Sequence, residues 1–393
     1  MNVLVVSHLY PYPGVNQHLF VHDQCRALRR LGVRLRVVSP TPYTPRVLWF
    51  DPRLRRRGGK PLRAVRDDIP IDYPRFLQPP RRILFDRLGD LAYRRVRRLP
   101  WIADSGCDLI HAHQALPDGA IAAHLSRDLG VPYVVTLHGV DVNHGLPHGG
   151  AVAARTAKVL GGAAAVVVVS DMLARRLARY VPLDTVRVVQ NGSPADISPA
   201  EPADYLPGHR LVLCAGRLVP GKGFEQVLQA LARLRDDHDD LHCVIAGEGA
   251  LRRRLTTLTT ELRLDERVHF VGHLEQGALL AMMARADVFA LPSAPEGFGL
   301  VHLEAMTQGT PVIACLDQGP ADFIEDGVSG YLVPYGDVDV LTGVLSTALA
   351  DPAVATVVGE AGRAVAASFT WERNARRMLD IYAEVVAGSA RKD

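Results

Sequence analysis

The 393-residue chain is poor in lysine. Lys60, Lys158, Lys222 and Lys392 are the only four among 45 basic residues. A lysine kept at one point of such a chain suggests that a compact ammonium is wanted there. Cysteine is also scarce. Cys25, Cys107, Cys214, Cys243 and Cys315 are odd in number and form no CxxC pair, which excludes a disulfide framework. Cys214, Cys243 and Cys315 lie in or beside apolar runs, so buried free thiols are expected. No run of 18 uncharged apolar residues occurs, so no membrane-spanning helix is expected. Residues 1–6 are apolar but lack a basic leader and soon meet His8, Pro11 and Pro13, so they read as a strand and not a secretory signal. The expected location is the cytosol, which suits free thiols. What is abundant is apolar surface. With 48% hydrophobic and 22% charged residues, the chain is no disordered polymer, and its length suggests two or three domains.

The net charge of +3 hides a split. Residues 1–200 carry 28 basic and 15 acidic side chains, whereas residues 201–393 carry 17 and 27. The steepest stretch, residues 46–98, holds 16 basic against 6 acidic. Two surfaces of opposite sign imply different partners for the two halves. For the basic stretch an anionic membrane or an anionic substrate fits. Nucleic acid does not, because no aromatic-interleaved platform or helix-turn-helix pattern accompanies the arginines.

Short β-branched runs at 3–6, 35–38, 109–110, 134–137 and 166–169 recur with helical periods between them, and so do runs at 211–214, 242–246, 268–271, 288–291 and 312–315. Continuous apolar strands alternating with helices predict parallel sheets covered on both faces. Four prolines between 193 and 208 interrupt the alternation. The predicted architecture is α/β: two Rossmann-like, doubly wound domains with a cleft between them. The first spans 1–193, the linker 194–208 and the second 209–370, with a last helix at 371–387 packing back on the first domain. Ligands in such sheets sit beyond the carboxyl ends of the strands.

Two segments of the second half suit a diphosphate. After the strand at 211–214, Gly216-Arg217-Leu218-Val219-Pro220-Gly221-Lys222-Gly223 places two cations in a glycine turn before a helix. The same letters begin a P-loop, but Gly223 stands where Ser or Thr would hold Mg²⁺, so an NTPase is the weaker alternative. Glu296-Gly297-Phe298-Gly299-Leu300 with Glu304 puts a carboxylate on each side of a helix start whose free N–H groups suit phosphate. Asp337-Val338-Asp339 fits the letters of a metal-binding DxD motif but follows a turn, and no metal site is assigned to it.

Gly216-Arg217-Leu218 with Lys222-Gly223, Glu296 with Glu304, and Gly309-Thr310-Pro311-Val312-Ile313-Ala314 together resemble the GT4 family of retaining glycosyltransferases (group 1, GT-B fold). The resemblance implies that Arg217 and Lys222 bind the donor's diphosphate, Glu296 the transferred sugar and Glu304 the ribose. It implies that the amides of Gly297, Phe298 and Gly299, with Leu300, seat sugar and phosphate. Gly247 would lie under the nucleotide, and His273 and Leu274 beside its base. In the first half, His138 of Thr136-Leu137-His138-Gly139 resembles the family's histidine near the reacting carbon. Catalysis would then rest on His138, Glu296, Arg217 and Lys222. Gly14 would face the diphosphate, and Asn16, His113 and Asp141 the acceptor. The alternating His111 and His113 lack a nearby carboxylate or cysteine to complete a metal set. Three departures stand out: one glycine (Gly14) in the first loop, Ser193-Pro194 after Asn191-Gly192, and Pro320 after Gly319.

The implied activity is retaining transfer from a nucleotide-sugar, by default a UDP-sugar with GDP-mannose and ADP-glucose as rivals. No metal or other cofactor is required, and the leaving diphosphate's oxygens help deprotonate the acceptor. The acceptor hydroxyl would belong to a cell-envelope polymer, a lipid-linked or anionic sugar, or a small natural product. A silent sugar-nucleotide sensor is the remaining alternative. Residues 81–98 predict one helix with Leu84, Leu88, Leu91 and Tyr93 or Val96 along a face, able either to lie on an anionic membrane or to pack on the core. The first would make the protein peripheral on the inner face of the membrane.

Overall fold

The computed structural model describes residues 1–12, 19–48, 59–79, 83–193 and 201–389. Gly14 and Asn16, part of the basic stretch and residues 194–200 of the expected linker lie outside the described residues. The chain divides into two compact units, Met1–Gly192 with Trp371–Asp393, and Ser193–Thr370. Ser193 belongs to the second unit, where its N–H donates to Phe369 O at 2.8 Å and it bridges Thr370.

The first unit is built on β1 (Asn2–Val6), β2 (Arg34–Val38), β3 (Thr41–Pro42), β4 (Arg63–Arg66), β5 (Ile69–Asp72), β6 (Arg75–Phe76), β7 (Leu109–His113), β8 (Tyr133–Leu137), β9 (Ala165–Val168) and β10 (Val186–Val188). Eight of these form a sheet in the order β10-β9-β8-β7-β1-β2-β5-β4. The central pairs are parallel, with Val5 opposite Val37 on one side and His111 on the other. Their near-complete burial explains why they read as unbroken apolar runs. The run model missed β4 and β5, an antiparallel edge hairpin in the basic stretch. Its turn is Asp67-Asp68, with φ of 47° and 54°, the positive pair a two-residue hairpin turn requires.

The helix Trp371–Ser389 crosses back to this unit. Trp371, Ala375, Met378, Ile381, Tyr382 and Val385 follow a helical stripe and join Val21, Cys25 and Leu28 in one core. Gln24 Nε2 donates to Asn374 Oδ1 at 2.7 Å inside that contact, and Asn374 Nδ2 donates to Gln190 O at 2.8 Å. Each large side chain of the stripe contributes about 1.5–3 kcal/mol by leaving water.

The helix expected across 81–98 is shorter. Leu84 sits at φ 54° and is 46% exposed, Phe85–Arg87 is a 3-10 turn, and the α-helix is Leu88–Val96. Its buried face is Leu88, Gly89, Ala92 and Val96, with Gly89 so close to Ala120 that a Cβ there would lie 2.5 Å from the Ala120 Cβ. Leu88, Ala92 and Val96 are taken up by the unit's own core, Leu91 is half-buried, and Leu84 stays exposed. Among the described residues no single helix is long and apolar enough to cross one.

The second unit carries β11 (Arg210–Ala215), β12 (Leu241–Ala246), β13 (Val268–Gly272), β14 (Val288–Ala290), β15 (Val312–Cys315) and β16 (Tyr331–Val333). All are parallel, in the order β13-β12-β11-β14-β15-β16. The winding direction reverses between β11 and β14, the switch point where open α/β sheets receive ligands. Both units are thus doubly wound α/β sheets.

Candidate functional site

In the second unit the predicted residues collect at the carboxyl ends of adjacent strands. Arg217 and Lys222 follow β11, Gly247 follows β12, and His273 and Leu274 follow β13. Glu296, Gly297, Phe298 and Gly299 follow β14, and Leu300 and Glu304 lie on the helix Leu300–Thr307. Across the switch point, Lys222 Nζ donates to Glu296 Oε2 at 2.6 Å, and the Ser293 hydroxyl donates to the same oxygen at 3.1 Å. Burial opposes the Glu296 charge, but the Lys222 ammonium and these hydrogen bonds outweigh it and hold the carboxyl below its usual range. The loops meet this closely because Gly223, at φ 79°, caps the helix Phe224–Leu234 where a Cβ would stand 2.4 Å from Pro292 O. The Arg217 side chain is exposed and has no ion-pair or hydrogen-bond partner among the described residues.

The Glu296 loop is braced from β15. Glu296 N–H donates to Gln318 Oε1 at 3.0 Å, and Gly319 N–H donates to Glu296 O at 3.0 Å. Pro320, the departure noted above, opens a 3-10 turn and fills the space a side chain on Gly299 would need, with Pro320 Cγ 2.6 Å from that Cβ position. Phe298 turns its ring away into the core against Phe323 and Phe369, so only its backbone is available to a ligand. His273 is exposed at the rim of the strand ends.

The first unit has a second polar cluster at its own strand ends. His113 Nδ1 and His138 Nε2 share a hydrogen bond of 3.0 Å, with the rings stacked at 5.3 Å and the Phe20 ring 4.6 Å from His138. Burial, then His111 and His138, keep His113 neutral by pushing its pKa well down. His111 is committed to structure: Nδ1 bonds the Tyr382 hydroxyl at 2.7 Å and Nε2 the Thr136 hydroxyl at 2.8 Å. Burial lowers it to about 3. Asp141 is buried and accepts from Ala115 N–H at 3.3 Å through one oxygen, and burial raises its carboxyl to about 6.

The family profile described as "Glycosyl transferases group 1" matches residues 204–365, and one described as "Glycosyl transferase 4-like domain" matches residues 17–192. A Bacillus subtilis (strain 168) protein, TuaC, named as a teichuronic acid biosynthesis glycosyltransferase, is 30% identical over 342 residues, which is 81% of this chain and 82% of that one. The chain is a group 1 glycosyltransferase of the GT4 type. Solved structures place the glycosyltransferase in the GT-B fold. Sucrose-phosphate synthase from Thermosynechococcus elongatus superposes with a TM-score of 0.81 at 24% identity, covering 99% of this chain and 100% of that one. Anabaena HepE in complex with UDP-glucose superposes at 0.74 with 21% identity, covering 98% and 100%.

Several residues of this glycosyltransferase's strand ends escaped the sequence reading. Ser293 and Gln318 grip Glu296, and His302 packs beneath it with Nε2 donating to Leu291 O at 3.1 Å. Burial, against the pull of Glu296, lowers His302 to about 4. In the first unit, His8 and Asp118 form a pair that no motif marked. Asp337 of the DxD letters caps the helix Val338–Ala350 by accepting from Val340 N–H at 3.0 Å, and Asp339 pairs with Arg233.

Proposed function

We propose that the protein transfers a hexosyl group from a nucleotide-sugar, by preference a UDP-sugar, to an acceptor hydroxyl, with retention of anomeric configuration and without a metal. The observation that carries this is the Lys222–Glu296 pair at the switch point of the second sheet, with the unpartnered Arg217 on the same loop as Lys222. An ammonium has three donors, so Lys222 can keep Glu296 and still take a diphosphate oxygen. Arg217 supplies a planar fork for a second oxygen. These two cations neutralise the charge that grows on the leaving diphosphate, the task a metal performs elsewhere. Glu296, fixed at its backbone by Gln318 and Gly319, is held ready to accept sugar hydroxyls. Glu304 reaches the ribose and the Gly297 and Gly299 amides the sugar and phosphate. Gly247, His273 and Leu274 line the nucleotide, with Leu300 at the helix start. His138, stacked on His113, positions the donor sugar, and His113 and Asp141 stand on the acceptor side.

The UDP preference is supported by the UDP-glucose-bound structural neighbour, and an acceptor in cell-envelope polysaccharide or glycolipid synthesis by the teichuronic acid relative. A small natural product is the alternative acceptor. The charge split supports an anionic or lipid-linked acceptor on the basic first half. A thermal-shift panel of UDP-, GDP- and ADP-sugars tests the donor, because a ligand of the native state raises its melting temperature. Product NMR, with and without EDTA, tests the chemistry. An inverted anomeric signal would refute retention, and loss of turnover with EDTA would refute metal independence.

A further inference from the structure

Beneath the Glu296 loop a histidine is sealed in the core of the second unit. His302 stands in the first turn of the helix Leu300–Thr307 and is fully buried, its ring meeting Phe289 of β14 edge-on at 5.5 Å. Its side chain and backbone fasten both ends of the loop 292–299. At the start, ring Nε2–H donates to Leu291 O at 3.1 Å; at the end, the His302 backbone N–H donates to Gly299 O at 2.9 Å. Gly299 itself is held between the Pro320 ring and the imidazole: a Cβ there would stand 2.6 Å from Pro320 Cγ and 2.9 Å from His302 Nδ1. Burial keeps the imidazole neutral, so one nitrogen carries the proton, and the carbonyl opposite Nε2 places it there. Nδ1 is thereby left as a buried lone pair with no hydrogen-bond partner among the described residues. An apolar side chain of similar volume would avoid that cost. The ring's place is therefore explained by the proton it holds on Nε2.

That proton begins a connected path to Glu296. Leu291 O accepts from His302 and, at 2.8 Å, from the Ser293 backbone N–H. The Ser293 hydroxyl in turn donates to Glu296 Oε2 at 3.1 Å, the same oxygen that takes Lys222. Linked hydrogen bonds in a dry interior polarise and stiffen one another. With the Leu291 carbonyl fixed by the imidazole, Ser293 keeps one orientation, and so does the carboxylate it holds. Gln318 and Gly319 fix the Glu296 backbone and do not touch its carboxylate oxygens. We propose that His302 is a positioning residue for the donor: acting through Leu291 and Ser293, it aims the Glu296 carboxylate at the hydroxyls of the sugar and leaves the diphosphate to Lys222 and Arg217. The proposal rests on the reading of Glu296 as the sugar contact. A supporting group of this kind sharpens the aim of a binding side chain without touching the ligand. Its loss should therefore be felt in the sugar's share of binding and not in the diphosphate's.

Calorimetric titration of the full-length protein tests this with two ligands. One is whichever of UDP-glucose, UDP-galactose, GDP-mannose and ADP-glucose raises the melting temperature most, and the other is the same nucleoside diphosphate without its sugar. His302→Leu, close in volume and unable to donate, is expected to weaken the nucleotide-sugar about tenfold and the free diphosphate by less than about twofold. His302→Gln, whose amide can still reach Leu291 O, should recover to within about threefold of wild type. In a Ser293→Ala background, His302→Leu should add less than about twofold, because the path is already cut. Equal losses for both ligands would show a general packing role and overturn the proposal. So would an unchanged nucleotide-sugar affinity, a Gln variant as weak as the Leu variant, or additive losses in the Ser293→Ala background. Glu296→Gln separates the two levels. If it leaves the nucleotide-sugar affinity intact, or if wild type binds no nucleotide, the reading of Glu296 fails instead. Urea unfolding of wild type, His302→Leu, Ser293→Ala and the double variant then decides whether His302 acts through Ser293: coupled losses of stability uphold the path, and additive ones overturn it.

Discussion

The two doubly wound sheets treat their carboxyl ends differently. At the second, opposite charges meet directly: Lys222 and Glu296 neutralise each other, and Ser293, Gln318 and Gly319 complete the Glu296 loop. At the first, His8 meets Asp118, but Ser7, His113 and Asp141 each keep a buried polar atom without a partner among the described residues. Among the described residues the second sheet's ends hold a direct ion pair and leave His302 Nδ1 as a buried atom without a partner, whereas the first sheet's ends leave several. A diphosphate brings its own strong charge, so a site for it can rest as an ion pair. A neutral hydroxyl brings only hydrogen bonds, and donors and acceptors must be waiting for it.

The largest effect that can break this contrast is expected at the ion pair. Lys222→Ala should lower nucleotide release by about 10²–10³-fold. It should also destabilise the second unit by about 3 kcal/mol, because Glu296 keeps its burial without its cation. Adding Glu296→Gln should restore stability and leave activity lost; if the double variant is no more stable than the single, the charge was not the cause. The sign with pH follows from the depressed carboxyl. The pair's contribution is present above about pH 4.3, the ordinary glutamate value, and is lost as pH falls through the lower folded one. Acid melting of Lys222→Ala should lack that loss.

A comparable effect confined to the other unit is expected from Met378→Ala, which empties a fully buried site in the returning helix and should cost about 2–5 kcal/mol. Calorimetry with and without nucleotide separates the units: the transition that nucleotide raises should be unmoved by this substitution. Asp141→Asn should act in the opposite direction. A carboxyl held at about 6 in the fold binds its proton more tightly than in the unfolded chain, so its penalty is absent below about 3.9, the ordinary aspartate value, grows as pH rises from there to about 6, and is complete above it. The substitution should raise stability by up to about 3 kcal/mol at pH 8 and by nothing at pH 4, while weakening turnover. Equal shifts at both pH values would mean that the penalty is not carried by this charge. The smallest effect is expected at the basic stretch of residues 46–98. With Leu88 and Val96 used by the core, this stretch should sediment only weakly with anionic vesicles, lose that binding in salt, and ignore neutral ones. Binding indifferent to lipid charge would show apolar insertion in place of charge attraction.

The second unit's site was largely legible because it is made of neighbours in sequence. A strand, a glycine turn and a cation follow one another at β11, and a strand, a carboxylate and a helix start follow at β14. Gln318 and Ser293 were not legible, since nothing in an amide or a hydroxyl announces that it will reach a backbone N–H or a carboxylate oxygen from another loop. In the first unit less could be read. His8 and Asp118 lie 110 residues apart and match no motif. The β4–β5 hairpin hid in a charged stretch because an exposed edge strand carries no apolar run. The helix at 88–96 was read too long because residues 81–98 continue its period, while the left-handed Leu84 interrupts the backbone before it.

The sequence by itself determined the α/β alternation, the doubly wound sheets and the glycine turn after β11 with its two cations, because strand burial, helical period and glycine turns are local properties written residue by residue. Only the tertiary structure decided which polar groups meet and which buried atoms are left wanting. Pairing across a switch point depends on strands distant in the chain lying side by side, and the free energy of a buried charge depends on everything that surrounds it.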